Sequence, residues 1–289
     1  MSGLLQLILG GLSVGSIYGL VALSYNVIFK TTTVINFSQG ELVTLGALCG
    51  FTFYVTWGLP IFVAMALAAG VVACLALMVE RLAIRPIKDV SNNFVWIMST
   101  FGFGVAVKHT AMLIWGRSPL PFAKFIGGDE PLSLLGALVL PQELGIITIA
   151  LLCTGLLELY YRKTIFGTAV RATALDRETA GLMGINTKHV IYFSFGISGA
   201  LAAICGILVS PITFADPTMG IVLGVKGFVA VVVGGLGSSL GAVMGGLCLG
   251  LIEVFSATII PPIWQEAVTF VVLILVMLIK PSGLFGRAR

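Results

Sequence analysis

Asp176, Arg177 and Glu178 stand side by side ahead of a short apolar run, with Arg171 before them and Gly184 after them. That order predicts a helix of about two turns, charged on one side and small or apolar on the other, with Ala180 in its middle and Gly184 ending it. Its chemistry is that of a docking peg on a surface, held by another protein. The bland alternative is an interfacial helix resting on lipid headgroups. A second set of charges lies in apolar surroundings. Glu41 closes the run Asn36-Phe37-Ser38-Gln39-Gly40-Glu41, and Lys226 interrupts an apolar stretch near 220–235. A carboxylate at membrane depth costs about 2.5–3.5 kcal/mol on insertion scales, so it faces protein or water. Asn36, Gln39, Glu41 and Lys226 are therefore candidates for a pathway or gate. The competing reading makes Glu41 a hydrogen-bonded anchor. It lets Lys226 either reach the surface or pair with a carboxylate, for which Glu253 is the candidate. Lys108 and His109 read as lying close to the outer interface.

Other chemistries are excluded. The chain has no GxxxxGK[ST] loop, no HExxH and no GxSxG, so it should not bind and split a nucleotide by itself. Two histidines far apart in sequence support neither a metal site nor a relay. The sixteen basic residues are spread over the loops, which leaves no footprint for nucleic acid. Cys49, Cys74, Cys153, Cys205 and Cys248 all fall in apolar runs without ligand spacing and are expected as small buried residues, not disulfides.

The elements that must position these residues are membrane helices. The chain is 58% hydrophobic and 10% charged, with a mean hydropathy of +1.10, whereas soluble domains are about 25% charged. Continuous apolar runs predict an all-α polytopic membrane protein of eight to nine spans. The candidate spans are 4–28, 37–57, 60–80, 94–115, 142–161, 190–210, 220–235, 239–257 and 264–280. The first reads as a retained span, not a cleaved leader. The seventh is short or re-entrant. Pro141 marks the start of the fifth span and Pro60 that of the third. With the N-terminus outside, Lys30, Arg81, Arg85, Lys88, Arg162, Lys163, Arg171, Arg177, Lys188, Lys280, Arg287 and Arg289 lie inside, and only Arg117 and Lys124 lie outside. That bias predicts an external N-terminus and a cytoplasmic C-terminus. The connection from Gly116 to Leu140, which includes Gly128 and Asp129, either caps the outer face or is a solvated linker.

Gly11, Gly15 and Gly19 lie four apart, and Gly237, Gly241 and Gly245 repeat the spacing. Each set predicts a stripe for close helix packing in lipid, within the chain in preference to between subunits. Gly234, Gly235 and Gly237 form a flexible break beside the short seventh span, which suits a gating element.

Several ordered stretches carry a resemblance. Glu178-Thr-Ala180 followed after three residues by Gly184 is similar to the EAA-x-x-x-G coupling loop of ABC importer permeases, with Thr179 in place of an alanine. Asn36-Phe-Ser-Gln-Gly-Glu41, Glu80-Arg-Leu-Ala-Ile-Arg-Pro86, Leu182-Met-Gly-Ile-Asn186, Gly227-Phe-Val-Ala, Gly234-Gly-Leu-Gly-Ser238 and Pro281-Ser-Gly-Leu-Phe-Gly286 match in order. Over essentially the whole chain they resemble the permease of branched-chain amino-acid type ABC importers, of the Liv H type. The resemblance implies one permease domain over 1–289, with 162–189 as a cytoplasmic coupling loop. It implies a bacterial inner-membrane complex with a second homologous permease subunit, two cytoplasmic ATPase subunits and a periplasmic solute-binding protein. ATP and Mg would sit on the ATPases, with no cofactor on this chain. Arg171, Asp176 and Glu178 would make the polar contacts to the ATPase. The cargo would be a branched-chain or other hydrophobic amino acid, while relatives carry urea, amides and aromatic carboxylates; no site for an ammonium and a carboxylate together is evident in the spans. The rival readings are a free-standing secondary transporter that uses Glu41, a passive channel, and a structural membrane subunit.

Overall fold

The computed structural model describes residues 2–87, 93–127, 130–134 and 137–286. Lys88, Gly128, Asp129, Arg287 and Arg289, used above for orientation and for the outer connection, lie outside the described residues. Helix α1 spans Ser2–Thr32, and α2 spans Gln39–Gly50 and continues into a π-helical turn, Phe51–Thr56. Helix α3 (Ile61–Val79) likewise ends in a π-helical turn, Glu80–Ile84, and α4 follows over Asn93–Trp115. Two short strands, β1 (Leu132–Leu134) and β2 (Ala137–Val139), pair as an antiparallel hairpin. The remaining helices are α5 (Pro141–Lys163), α6 (Ile165–Leu175), α7 (Arg177–Leu182), α8 (Thr187–Thr213), α9 (Met219–Gly234), α10 (Ser239–Ser256) and α11 (Gln265–Ile279). Pro141 opens α5, and Pro60 caps α3.

Among the described residues, six helices are long and apolar enough to cross a membrane: those at Gly3–Thr32, Ile61–Ile84, Phe94–Trp115, Pro141–Lys163, Thr187–Thr213 and Ser239–Ser256. The other three expected spans are shorter. Every residue of α2 is buried, so protein surrounds its backbone where a lipid-facing span would need its full length. The 16 residues of α9 rise about 24 Å, less than the ~30 Å hydrocarbon core. It runs from the Leu120–Ala215 bridge at one end of the bundle to a corner at the other, without doubling back.

Helices α1, α2, α8, α9 and α10 form the centre. Gly11, Gly15 and Gly19 press α1 against α10, where a Cβ on Gly15 would stand 2.7 Å from the Leu247 Cα. The stripe therefore serves packing within the chain. The second stripe does not behave as one surface. Gly241 and Gly245 face α9, at Gly234 and Ala230, while Gly237 lies in the connection, where a Cβ would find open space. The glycines that answer α1 are Gly246 and Gly250. Helix α3 presents Ala64, Ala68, Val72, Ala76 and Val79 to the interior. Its other faces expose Leu67, Val71 and Met78, as suits a helix bathed in lipid.

The break at Gly234, Gly235 and Gly237 is tied down, not loose. Leu284 and Phe285 donate backbone hydrogen bonds to the carbonyls of Val233 (2.8 Å) and Gly234 (3.0 Å). The Gly237 N–H donates to Asn26 Oδ1 at 2.8 Å. Gly235 has φ +109°, and a Cβ there would meet the backbone of Gly286, so glycine is required on both counts. The two motifs at 234–238 and 281–286 thus form one folded corner. At the same end, Lys30 donates to Ser239 Oγ at 2.6 Å and lies 4.9 Å over the Tyr161 ring. At the opposite end the connection after α4 is anchored to the bundle by a few aromatic contacts. Phe122 is buried and stacks on Tyr54, and the Trp115 indole N–H donates to Thr52 Oγ1 at 2.8 Å. Among the cysteines, Cys49 and Cys205 are buried as expected, but Cys153 and Cys248 are half-buried and Cys74 is exposed, because α3 turns that face outward.

Candidate functional site

The candidate site is a cavity of about 180 Å³ between α2, α4 and α9. One water needs only ~10–15 Å³ of such space, so the cavity has room for a small solute. Glu41 enters it from the first turn of α2, Lys108 and His109 from α4, and Phe37, Phe101, Ile221, Val225 and Phe228 wall it. The placement of Glu41 has a local cause. Thr100 Oγ1 accepts from the Phe37 N–H (3.2 Å), and Asn36 Oδ1 accepts from the Ser38 N–H (3.1 Å) and hydroxyl (2.7 Å). These bonds lock the turn that starts α2. Gly40 then abuts α9, because a Cβ on it would overlap the Gly220 carbonyl and come within 3.0 Å of the Gly224 Cα. The two backbones meet beside the carboxylate. Phe228 lies between Tyr25 and Phe37, with ring centroids 6.5 and 5.9 Å away.

Only one of the four polar candidates lines this cavity. Asn36 and Gln39 are fully buried and do structural work instead. The Asn36 amide donates to Gln39 Oε1 (3.3 Å), and the Gln39 amide donates to the Ser198 carbonyl (3.4 Å). Glu41 is 7% exposed, and its Oε2 has no hydrogen-bond partner, so it is not a hydrogen-bonded anchor. Lys226 does not reach the surface. It forms an ion pair with Glu253 and donates to the Tyr18 hydroxyl at 3.0 Å, joining α9, α10 and α1. Tyr18 and Glu253 line a second cavity. Lys108 and His109, read as unremarkable interface residues, belong to the Glu41 cavity. A carboxylate and an amine thus line one cavity in the spans, a grouping that the sequence did not show. Neighbours separated by one helical turn from different elements cannot be paired from sequence. Gly220 and Gly224 carry the same four-residue glycine spacing that marks α1, and that signal would have found them.

The polar segment lies at the end that carries Lys30 and the glycine corner, and it folds as α6 and α7. Thr164 caps α6 by accepting from the Gly167 N–H at 3.0 Å. Asp176 caps α7, accepting from the N–H groups of Glu178 (2.9 Å) and Thr179 (3.1 Å) and from the Thr179 hydroxyl (2.6 Å). The Thr179 bonds, with that from Glu178, hold its carboxyl below the usual range. With the folded value depressed, the capping contribution is full above the ordinary carboxylate pKa and is lost as pH falls through the lower one. Asp176 is thus spent on its own helix, and Ala180 is buried as its anchor. Gly184 ends the helix at φ +85°. The Gly184 N–H donates to the Gly181 carbonyl and that of Ile185 to the Ala180 carbonyl, both at 3.1 Å, which is the Schellman arrangement. What faces outward is Arg171, Arg177 and Glu178 beside bare apolar side chains: Leu175 and Leu182, each 88% exposed, and Met183.

Comparisons with known proteins define the class as an ABC-type permease subunit. A family model described as "Branched-chain amino acid transport system / permease component" matches residues 7–277. The permease protein BraD of a high-affinity branched-chain amino acid transport system from Pseudomonas aeruginosa is 32% identical, over 98% of this chain and 96% of that one. LivH of Escherichia coli K12, a permease protein of the same description, is 30% identical over the same shares. Among solved structures, PsaBC from Streptococcus pneumoniae in complex with Fab aligns with a TM-score of 0.49 and 12% identity, covering 98% of this chain and 93% of that one. The chain belongs to the branched-chain amino acid transport system permease family. It is a multi-pass membrane protein and the permease component of a transport system.

Proposed function

We propose that this chain forms half of the translocation path of an ATP-driven importer in the bacterial inner membrane. The cargo is a branched-chain or closely related hydrophobic amino acid, handed over at the outer end by a periplasmic binding protein. A second homologous permease supplies the other half of the path, and two cytoplasmic ATPases carry the ATP and Mg. The end bearing Lys30, Arg81, Arg85, Arg162, Lys163 and the α6–α7 segment faces the cytoplasm, in line with the positive-inside rule.

The observation that carries this reading is the surface of α7. Leu182 and Met183 stand almost fully exposed on a helix held at both ends, by Asp176 and by the left-handed Gly184. Exposed apolar side chains on a capped helix beyond the bundle suit a protein groove. A free-standing transporter has no use for them. Gly184→Pro, or the pair Leu182→Ser/Met183→Ser, should leave membrane insertion intact and lower ATP-driven uptake by the complete complex about tenfold or more, while ATP hydrolysis continues uncoupled. Unimpaired uptake by these variants would sink the coupling role. Uptake by this chain alone in ATP-free liposomes would replace the importer reading with a channel or a gradient-driven carrier.

A further inference from the structure

Glu41 and Lys108 line one cavity, close enough for each to feel the other's charge, but no ion-pair contact or hydrogen bond engages either one among the described residues. Lys226, another charge deep in the bundle, is already neutralised by Glu253. A carboxylate 7% exposed in membrane-spanning protein is kept only where something offsets its desolvation. We propose that the cavity between α2, α4 and α9 recognises a free aliphatic α-amino acid: Glu41 takes its ammonium, Lys108 its carboxylate, and Phe37, Phe101 and Phe228 its side chain. This rests on the importer reading and deepens it.

The geometry supports the order of charges. Gly104 brings α4 against Glu41, a Cβ there standing 3.5 Å from the Glu41 Cγ. Lys108 follows four residues later on the same face of α4, about one 5.4 Å turn further along. The flexible lysine stem spans that offset, so the two charges can bracket the ammonium and carboxylate that an α-amino acid carries on one carbon. His109 lines the cavity beside Lys108 and adds a second polar group at that end. A cation alone or an anion alone would answer only one of the two charges. A zwitterion answers both. The aromatic wall, with Phe37 and Phe228 at 5.9 Å, offers apolar contact to an aliphatic chain and no hydrogen bonds to a polar one. The contact between Gly40 and Gly220 fixes the spacing of the walls, so the site is largely pre-formed.

The test uses the complete transporter in nanodiscs, without the binding protein, with three probes that share one side chain. Leucine carries both charges, leucinamide lacks the carboxylate, and 4-methylpentanoate lacks the ammonium. Binding is read by saturation-transfer NMR. Wild type should prefer leucine to either analogue by about tenfold or more, since a site built for a charged group rejects the analogue that lacks it. Glu41→Gln should abolish the discrimination against 4-methylpentanoate and keep that against leucinamide, and Lys108→Gln should do the reverse. Equal binding of the three probes by wild type would overturn the proposal. So would variants that weaken all three probes alike, the mark of a merely structural role or of an ion-pair lock. If leucine does not bind here although the complex with its binding protein imports leucine under ATP, the site is wrong and the importer reading stands. If the crossed pattern appears and ATP-driven import does not, the importer reading fails and the site stands.

Discussion

Lys226, Glu253 and Tyr18 show what a charge at membrane depth requires. The lysine and the glutamate are nearly buried, with side chains 13% and 10% exposed, and the tyrosine hydroxyl accepts a further hydrogen bond from the lysine. Removing one member of a buried pair leaves the other uncompensated, at a cost of about 3–5 kcal/mol. Lys226→Met or Glu253→Gln alone should therefore lower the thermal stability of the detergent-solubilised protein by an amount of that order. The double variant Lys226→Met/Glu253→Met should recover most of it. A double variant as unstable as the sum of the singles would mean that the two residues act separately. Glu41 is the contrasting case, since its carboxylate lies in a cavity wall without a protein partner. That contrast separates a residue that joins helices from one available to a solute.

Among the elements, the crossing of α2 and α9 is the tightest feature next to the cavity. Gly40, Gly220 and Gly224 let the two backbones touch, and small residues are the means by which helices associate closely where lipid removes the hydrophobic drive. Gly40→Ala inserts a methyl group where a carbonyl oxygen already lies. Overpacking of this kind costs about 1–3 kcal/mol, and the helices must separate to relieve it. The variant should melt several degrees lower and transport more slowly, and Gly104→Ala, whose Cβ would come no nearer than 3.3 Å to its neighbours, should be milder. Equal damage from both would show that the crossing is not the sensitive contact. Helix α7 is the opposite kind of element. Six residues long, it is held by a cap at each end and by Ala180, and its outer surface is left bare.

At the scale of the molecule, contacts between distant elements define two ends of the bundle. One end gathers Lys30, Ser239, the α6–α7 segment and the 281–286 turn; the other gathers the hairpin and the Leu120–Ala215 bridge. The basic residues concentrate at the first end, which predicts its side of the membrane. In a cysteine-free background, Ser118→Cys should react with a membrane-impermeant maleimide in intact cells, and Lys188→Cys only after permeabilisation. Both positions are exposed, so access decides the result. The reverse pattern would invert the orientation and place α7 outside.

The apolar runs, the charge bias between loops, the Pro141 start and the Asp176-to-Gly184 helix were all legible in the residues, because each depends on neighbours a few positions apart. Hydropathy, capping and turn chemistry are local properties. Span 37–57 was legible as apolar, but not that its first part, Gln39–Gly50, is wholly wrapped by protein. Nor was it legible that the glycines at 234–237 are stitched to 281–286, or that Gly241 and Gly245 face α9 while Gly246 and Gly250 meet α1. Asn36 and Gln39 looked as suited to a pathway as Glu41 until folding turned their amides into the turn that opens α2 and its contact with α8. The meeting of Glu41 with Lys108, and of Lys226 with Glu253, depends on which faces of distant helices are brought together. No local spacing encodes that: it follows from the packing of backbones over several helices at once, and that packing assigns one carboxylate to a lysine and the other to a cavity.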